Sequence, residues 1–512
     1  MKNEPRRRQM RLDSHGIRRY ISRPISAMLG RKAQPSCPCR VARARNPLVQ
    51  QERNVFDILI RNGKVVDGTG NPWQFGDVGI EKGKIAAIGK LSSSTEAKRV
   101  LDASGLVVAP GFIDVHTHSD VILLKEPRHE SRIRQGVTTD IVSLCGLSYA
   151  PSSAKTLALM REYLEPVMGD YDFGKRRRLS VAALLKLYDR KTSVNVGYLA
   201  PHAAFRVEVR GMRDGVATPD EIKAMKPLVE QAMADGAIGF STGLTYFPTE
   251  KVETTEIIEL CKPVAAHGGV FVTHMRNYVD GFNAAVRETC EIGEKAGLPV
   301  QISHMRLLGE TRHRAAETLE SIEAYRARGV DIAFDCYPYL MGCTFLNAFV
   351  LAASVCEGGA KAMLQRIRDP KERIMLRRGG QEPNWDDVFL SAIPSERNRR
   401  FEGLSLAEFA RQWGKDPLTS CCELILEEGN KVTAIGVTAE EEDLRKIISH
   451  RLCMVGSDAI YLGGRCHPRV FGSFSRYLAV YCRDLKLMTL EEAVRKITSL
   501  PARRFGFTAR GV

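Results

Sequence analysis

The sequence predicts an α/β chain built on a TIM-like (β/α)8 barrel, with a small β-domain ahead of it. Three observations carry that reading. Eight short apolar runs rich in Val and Ile recur between residues 108 and 458. Longer segments of helical period separate several of them, the pattern of a parallel sheet with crossover helices. The chain has 512 residues, enough for a large core and too many for one small domain.

Residues 1–54 read as a basic, disordered extension with little apolar periodicity and many breakers. They hold twelve Arg and two Lys against Glu4, Asp13 and Glu52, so eleven of the chain's fifteen net positive charges lie there. The segment lacks the continuous apolar stretch of a secretory signal; a transit peptide or an arm touching nucleic acid also fits its composition. Cys37 and Cys39 sit too close, with no second pair nearby, to form a zinc site.

Residues 55–107 form the small β-domain. VFDILIRNGKVVDGTG and FGDVGIEKGKIAAIGKL alternate apolar and polar residues around N-G and K-G turns, which predicts antiparallel strands. Barrel strands one to seven follow within 108–344, in VAPGFIDVHTH, VTTDIVSLCG, VNVGYLAPH, GAIGFSTGL, GGVFVTHM, PVQISHM and DIAFDCYPY. The eighth, RLCMVGSD, opens the last segment, 451–512, which ends in helices. TPDEIKAMKPLVEQAMADG has a Thr N-cap, early acids and a C-terminal Gly. A doubly wound open sheet is the alternative, but no Gly-rich phosphate loop follows the first strand.

Residues 345–450 are too long for a loop and predict an inserted subdomain. FEGLSLAEFARQWGKDPLTSCCELILEEG reads as well-capped helix, and CEGGAKAMLQRIRDPKERIMLRR as a solvated basic helix.

The strand ends carry the chemistry. His116 and His118 end the first run, and Asp114, His116 and His118 share a face by strand alternation. Cys145 ends the second run, His274 the fifth, His304 the sixth and Asp458 the eighth. In a barrel the carboxyl ends of the strands form the active face. Five strands thus deliver six metal-type ligands to one place. Imidazole, thiolate and carboxylate suit zinc, and ligands drawn from distant strands suit an open catalytic site. They serve one metal with a spare half-site, or two metals sharing Cys145. A bound ion activates water and polarises a carbonyl, and Asp458 can shuttle the proton. The chemistry predicted from these residues is hydrolysis of an amide-like bond.

With HTHSD, GVTTDIVSLCG, GAIGFSTGLTYFPTE, GGVFVTHMRN, VQISHMRLLG, YPYLMGCTFL, MVGSDA and HPRVFGSFSRYL in this order, the chain resembles the N-acyl-D-amino-acid deacylase (D-aminoacylase) family of the metal-dependent amidohydrolase superfamily, over about residues 55 to 508. The resemblance implies one tightly held zinc on Cys145, His274 and His304, and a second, weaker site on His116, His118 and Asp458. It implies Asp458 as general acid/base, and Arg306, Arg469 and Tyr337 around the substrate α-carboxylate. It makes Cys145 the counterpart of the carboxylated lysine of the wider superfamily, and the 345–450 insertion a lid.

Three departures stand out. Arg306 replaces the family's usual lysine, and Cys343 replaces a serine. Family members also continue with strands that complete the small β-domain, whereas this sequence stops at ARGV. The expectation is a β-domain incomplete at its C-terminal side, with exposed apolar edges and a destabilised or partner-dependent protein.

The expected partner is a small molecule with a free carboxylate. No run of about 18 apolar residues predicts a membrane span. The confinement of charge to the tail argues against a nucleic-acid face on the folded part. Thirteen scattered cysteines suit free thiols in a reducing, cytoplasmic setting. The competing readings are a cyclic-amide hydrolase of the hydantoinase or dihydroorotase kind, and an inactive metal-binding homologue. Oligomeric state is not encoded in any of these features.

Overall fold

The computed structural model describes residues 55–376 and 383–512. The basic extension, with Cys37 and Cys39, lies outside them.

Each of the eight runs contains a strand. Phe112–Asp114, Val137–Val142 and Asn195–Tyr198 pair in parallel. After Leu199 the third run resumes as Ala200–Pro201, which pairs in parallel with Gly239–Gly243. Val270–His274, Val300–Ile302, Ile332–Cys336 and Cys453–Val455 continue the parallel series. The last strand returns to the first through a bridge between Thr117 and Ala459, an Asp458 N–H bond to the His116 carbonyl (2.6 Å) and a His118 N–H bond to the Ala459 carbonyl (3.1 Å). That seam has no extended ladder.

The crossover helices follow their sequence signals. Thr218 caps helix Pro219–Ala234 in a reciprocal capping box with Glu221, which satisfies two otherwise orphaned N–H groups. Thr254–Ala266 and Phe282–Ala296 cover the next two strands. Phe240 and Phe271, in register on neighbouring strands, pack with Phe205 of helix His202–Arg210 between barrel and helices. Glu256 is buried there, bound by His202 (2.9 Å) and Arg206 (2.5 Å).

The small sheet differs from the antiparallel expectation. Phe56–Val65, Gln74–Glu81 and Lys84–Gly89 form an antiparallel meander, but Ala97–Asp102 and Val107–Val108 lie parallel to the first strand. The chain has to cross the sheet after the meander, and no helix marks that crossing. Phe75, Ile85, Ile88, Val100, Leu101 and Leu106 are exposed.

The inserted region also holds a sheet that the sequence did not announce. Met341–Phe345, Thr433–Val437 and Val388–Ala392 form three antiparallel strands, backed by capped helices Leu406–Trp413 and Pro417–Glu427. The expected basic helix is two short ones, Ala360–Arg366 and Pro370–Met375, separated where Pro370 starts anew behind the cap of Asp369. Nor is it wholly solvated: Arg373 is buried, its Nε bonded to the Ile367 carbonyl. No helix of the described residues is long and apolar enough to cross a membrane.

Candidate metal centre and carboxylate grip

All nine residues singled out in the sequence meet at the carboxyl ends of the barrel strands. Cys145 Sγ lies 3.6 Å from His116 Nε2, 3.8 Å from His274 Nδ1 and 3.7 Å from His304 Nε2. Asp458 Oδ1 lies 3.5 Å from His116 Nε2 and 3.2 Å from His118 Nε2. Two compact groups result, His116–Cys145–His304 and His116–His118–Asp458, whose ligand atoms all fall within 4.8 Å of one another. His116 belongs to both, and His274 joins through the thiol. Bonds of about 2.0 Å to nitrogen and 2.3 Å to sulfur set tetrahedral zinc ligands roughly 3.5 Å apart. The spacings around Cys145 fit that geometry.

These positions are held against backbone preference. Ser143, Cys145, His304 and Asp458 all have positive φ, four of the eleven such non-glycine residues among the described ones. Side chains in that region cost of order 1 kcal/mol or more each and persist only where surroundings impose them.

The electrostatics follow from crowding. Burial pushes the Cys145 thiol up, but His116, His118 and His274 outweigh it and hold it well below the ordinary thiol range. Burial lowers His118, yet bonds to Asp458 and Cys145 carry it to about 9. Burial and the neighbouring His274 bring His304 down to about 4. Burial opposes ionisation of Asp458, but Arg469, His118 and His116 keep it well below the usual carboxylate range.

Arg469 is buried. Its Nη1 donates to Asp458 Oδ2 at 2.8 Å and its Nη2 to the Cys343 carbonyl at 3.2 Å. Arg306 Nη2 reaches the same Oδ2 at 3.3 Å. The two guanidinium groups stand over the Tyr337 ring, at 4.4 and 4.8 Å from its centroid. The buried Tyr337 hydroxyl finds no hydrogen-bond partner among the described residues. Gly342 closes this corner: a Cβ there would meet Arg306 Nη1 at 2.5 Å and the Tyr337 hydroxyl at 2.9 Å.

Two residues at the centre carried no sequence argument. Asp335 lies 3.3 Å from His116 Nδ1 and accepts from Gln301 Nε2 (2.7 Å) and the His304 N–H (2.8 Å). Thr245 Oγ1 lies 2.8 Å from His274 Nε2. An acid inside the buried run DIAFDCYPY was the available signal for the first; Thr245 had none.

A ring of parallel strands converging imidazoles, a thiol and a carboxylate on one open end defines a barrel with a metal-ligating active face. The model of the amidohydrolase family matches residues 99–364. The chain is 37% identical to a D-aminoacylase of Alcaligenes xylosoxydans xylosoxydans over 463 residues, 90% of this chain and 86% of the relative. It is 36% identical to an N-acyl-D-glutamate deacylase of the same organism over 466 residues, 89% of this chain and 84% of that one. A solved N-acyl-D-glutamate deacylase from Bordetella bronchiseptica, complexed with zinc and a phosphonate inhibitor, superposes with a TM-score of 0.74 at 34% identity, covering 90% of this chain and 87% of that one. A D-aminoacylase structure concerned with a binuclear metal centre gives 0.73 at 34%, covering 89% and 87%. The chain belongs to the N-acyl-D-amino-acid deacylase family of the amidohydrolases.

Proposed function

We propose that this protein is a zinc-dependent hydrolase that cleaves the amide bond of N-acyl-D-amino acids to a carboxylate and a free D-amino acid. One observation carries the reading: Asp458 is shared between the ligand cluster and the arginine pair, Oδ1 toward His116 and His118 and Oδ2 toward Arg306 and Arg469. In an N-acyl amino acid the amide carbonyl and the α-carboxylate are separated only by N and Cα. A substrate with its carboxylate on the arginines therefore brings its amide to the ligands without reaching across the site.

His116, His118, Cys145, His274, His304 and Asp458 are the residues that would hold zinc. When bound, the ion supplies Lewis acidity and brings the pKa of water down to about 7. Arg306, Arg469 and the unpartnered Tyr337 hydroxyl fix the substrate carboxylate; paired charged donors set its orientation as well as its charge. Asp458 takes the proton of the attacking water and returns it to the leaving nitrogen. The first strand of the inserted sheet, through Gly342 and Thr344, walls the site, which supports the lid reading; Thr344 Oγ1 lies 3.2 Å from the Tyr246 hydroxyl. The D preference draws on the relatives, a D-aminoacylase and an N-acyl-D-glutamate deacylase. A carboxylate grip does not favour hydantoin-like cyclic amides, which lack that group.

The test offers the purified, zinc-loaded chain N-acetyl-D-methionine, its L-enantiomer and hydantoin. Turnover of the D-substrate alone is expected, with Asp458→Ala losing about 10²–10⁴-fold in kcat. Preferential hydrolysis of hydantoin or of the L-enantiomer would overturn the proposal.

A further inference from the structure

Cys145 sits in a four-residue turn, Ser143–Gly146, with little conformational reason to exist. Ser143 has φ 66°, Cys145 φ 55° and Gly146 φ 70°, so three of the four residues are left-handed. Two of those three carry a side chain that disfavours the conformation. Something outside the turn has to impose it.

The neighbouring barrel strand Gly239–Gly243 does so. Ser241 is fully buried, and its Oγ touches both ends of the turn. It donates to the Ser143 carbonyl at 2.5 Å and accepts the Gly146 N–H at 3.1 Å. Two residues on, Gly243 leaves room for the turn: a Cβ there would stand 2.3 Å from the Cys145 carbonyl oxygen. On the other side Asp120, the acid that follows His118 by two, receives the Ser148 hydroxyl at 2.6 Å and the Ser143 N–H at 3.4 Å. The thiol is therefore aimed by a hydroxyl whose hydrogen bonds go to the backbone of the turn.

We propose that Ser241 is a positioning residue for the metal thiolate, holding the Ser143–Gly146 turn so that Cys145 Sγ faces His116, His274 and His304. The proposal rests on the zinc reading above and deepens it. Loss of the hydroxyl leaves the buried Ser143 carbonyl and Gly146 N–H unmatched, and the turn relaxes away from its strained form. Partners of this supporting kind typically contribute about 10–100-fold in metal affinity.

The test compares wild-type protein with Ser241→Ala, titrating zinc against a chromophoric chelator and recording the near-ultraviolet thiolate-to-cobalt absorption of the cobalt-loaded form. Ser241→Ala should bind zinc about 10–100-fold more weakly. Its cobalt–thiolate band should weaken, and KM for N-acetyl-D-methionine should hold while kcat falls. A merely structural role would lower the melting temperature and leave the band and the affinity alone. Band and affinity equal to wild type would overturn the proposal by itself. A wild-type cobalt form without any thiolate band would overturn the metal reading with it. Should Ser241→Ala not fold, Ser241→Cys, which keeps a side chain in place but is a weak hydrogen-bond partner, decides the matter by the same two readouts: a several-fold loss supports it and no change overturns it.

Discussion

The barrel and the small sheet are written in the same alphabet of Ile, Val, Ala and Phe, yet they meet water differently. Every residue of Ile332–Cys336 is buried, as are the first four of Val270–His274. In Lys84–Gly89 and Ala97–Asp102 none is. A barrel strand arrives with a crossover helix to lie on it, so each βα unit brings its own cover. The small sheet, a meander joined by tight turns and then a parallel strand reached without a helix, brings none, and its apolar side chains depend on whatever else packs there. Apolar pattern marks a strand; topology decides whether the strand is buried.

Matched substitutions sharpen the contrast. Phe271→Ala, at 0% exposure, should cost about 3–5 kcal/mol through lost burial and the cavity left behind. Phe75→Ala, at 73% exposure, should stay within about 0.5 kcal/mol. Shifts of the urea midpoint measure both, and equal shifts would erase the distinction between the regions.

Glu256→Gln strands Arg206 in the interior and should cost about 3 kcal/mol or slightly more. Burial raises the Glu256 carboxyl, but His202 and Arg206 prevail and bring it down to about 2. A depressed folded-state pKa gives stability that is complete above the unfolded value near 4.5 and is lost as pH falls toward 2. Wild-type urea midpoints should therefore drop more steeply between pH 4.5 and 2 than those of the variant. Parallel pH profiles would remove Glu256 from the account.

The smallest pair is Ile332→Val against Ile85→Val. The first, at 0% exposure, should cost about 0.5–1.5 kcal/mol. The second, at 52%, should be lost in the error of the measurement.

Much of the barrel was legible because its signals are local. Each of the eight runs has a period or composition that requires only its own residues, and the Thr218 capping box is complete within four. The converging cluster was legible because a histidine, cysteine or aspartate at the end of a buried strand conflicts with its setting unless something binds it. What stayed hidden is relational. The parallel return of Ala97–Asp102 to Phe56–Val65 depends on a crossing with no helix to announce it. Met341–Phe345 finds its sheet partner Thr433–Val437 nearly a hundred residues later. Asp335 and Ser241 look like ordinary strand residues until the strands beside them are in place. Arg373 read as solvated because charge alone was visible; its burial comes from helix Pro417–Glu427 packing nearby, where Glu423 lies 3.9 Å away.

The thin seam of the barrel has a consequence beyond catalysis. Seven of the eight junctions in the cylinder follow from strand pairing or from chain continuity, while the eighth rests on a few bonds between 114–118 and 457–459. His116 and His118 stand on one side of that junction and Asp458 on the other. An ion held by all three, as proposed, would be the clasp of a hoop, fastened where the hoop is weakest. Were zinc to fill this site as proposed, its removal would loosen the cylinder at the place where it closes.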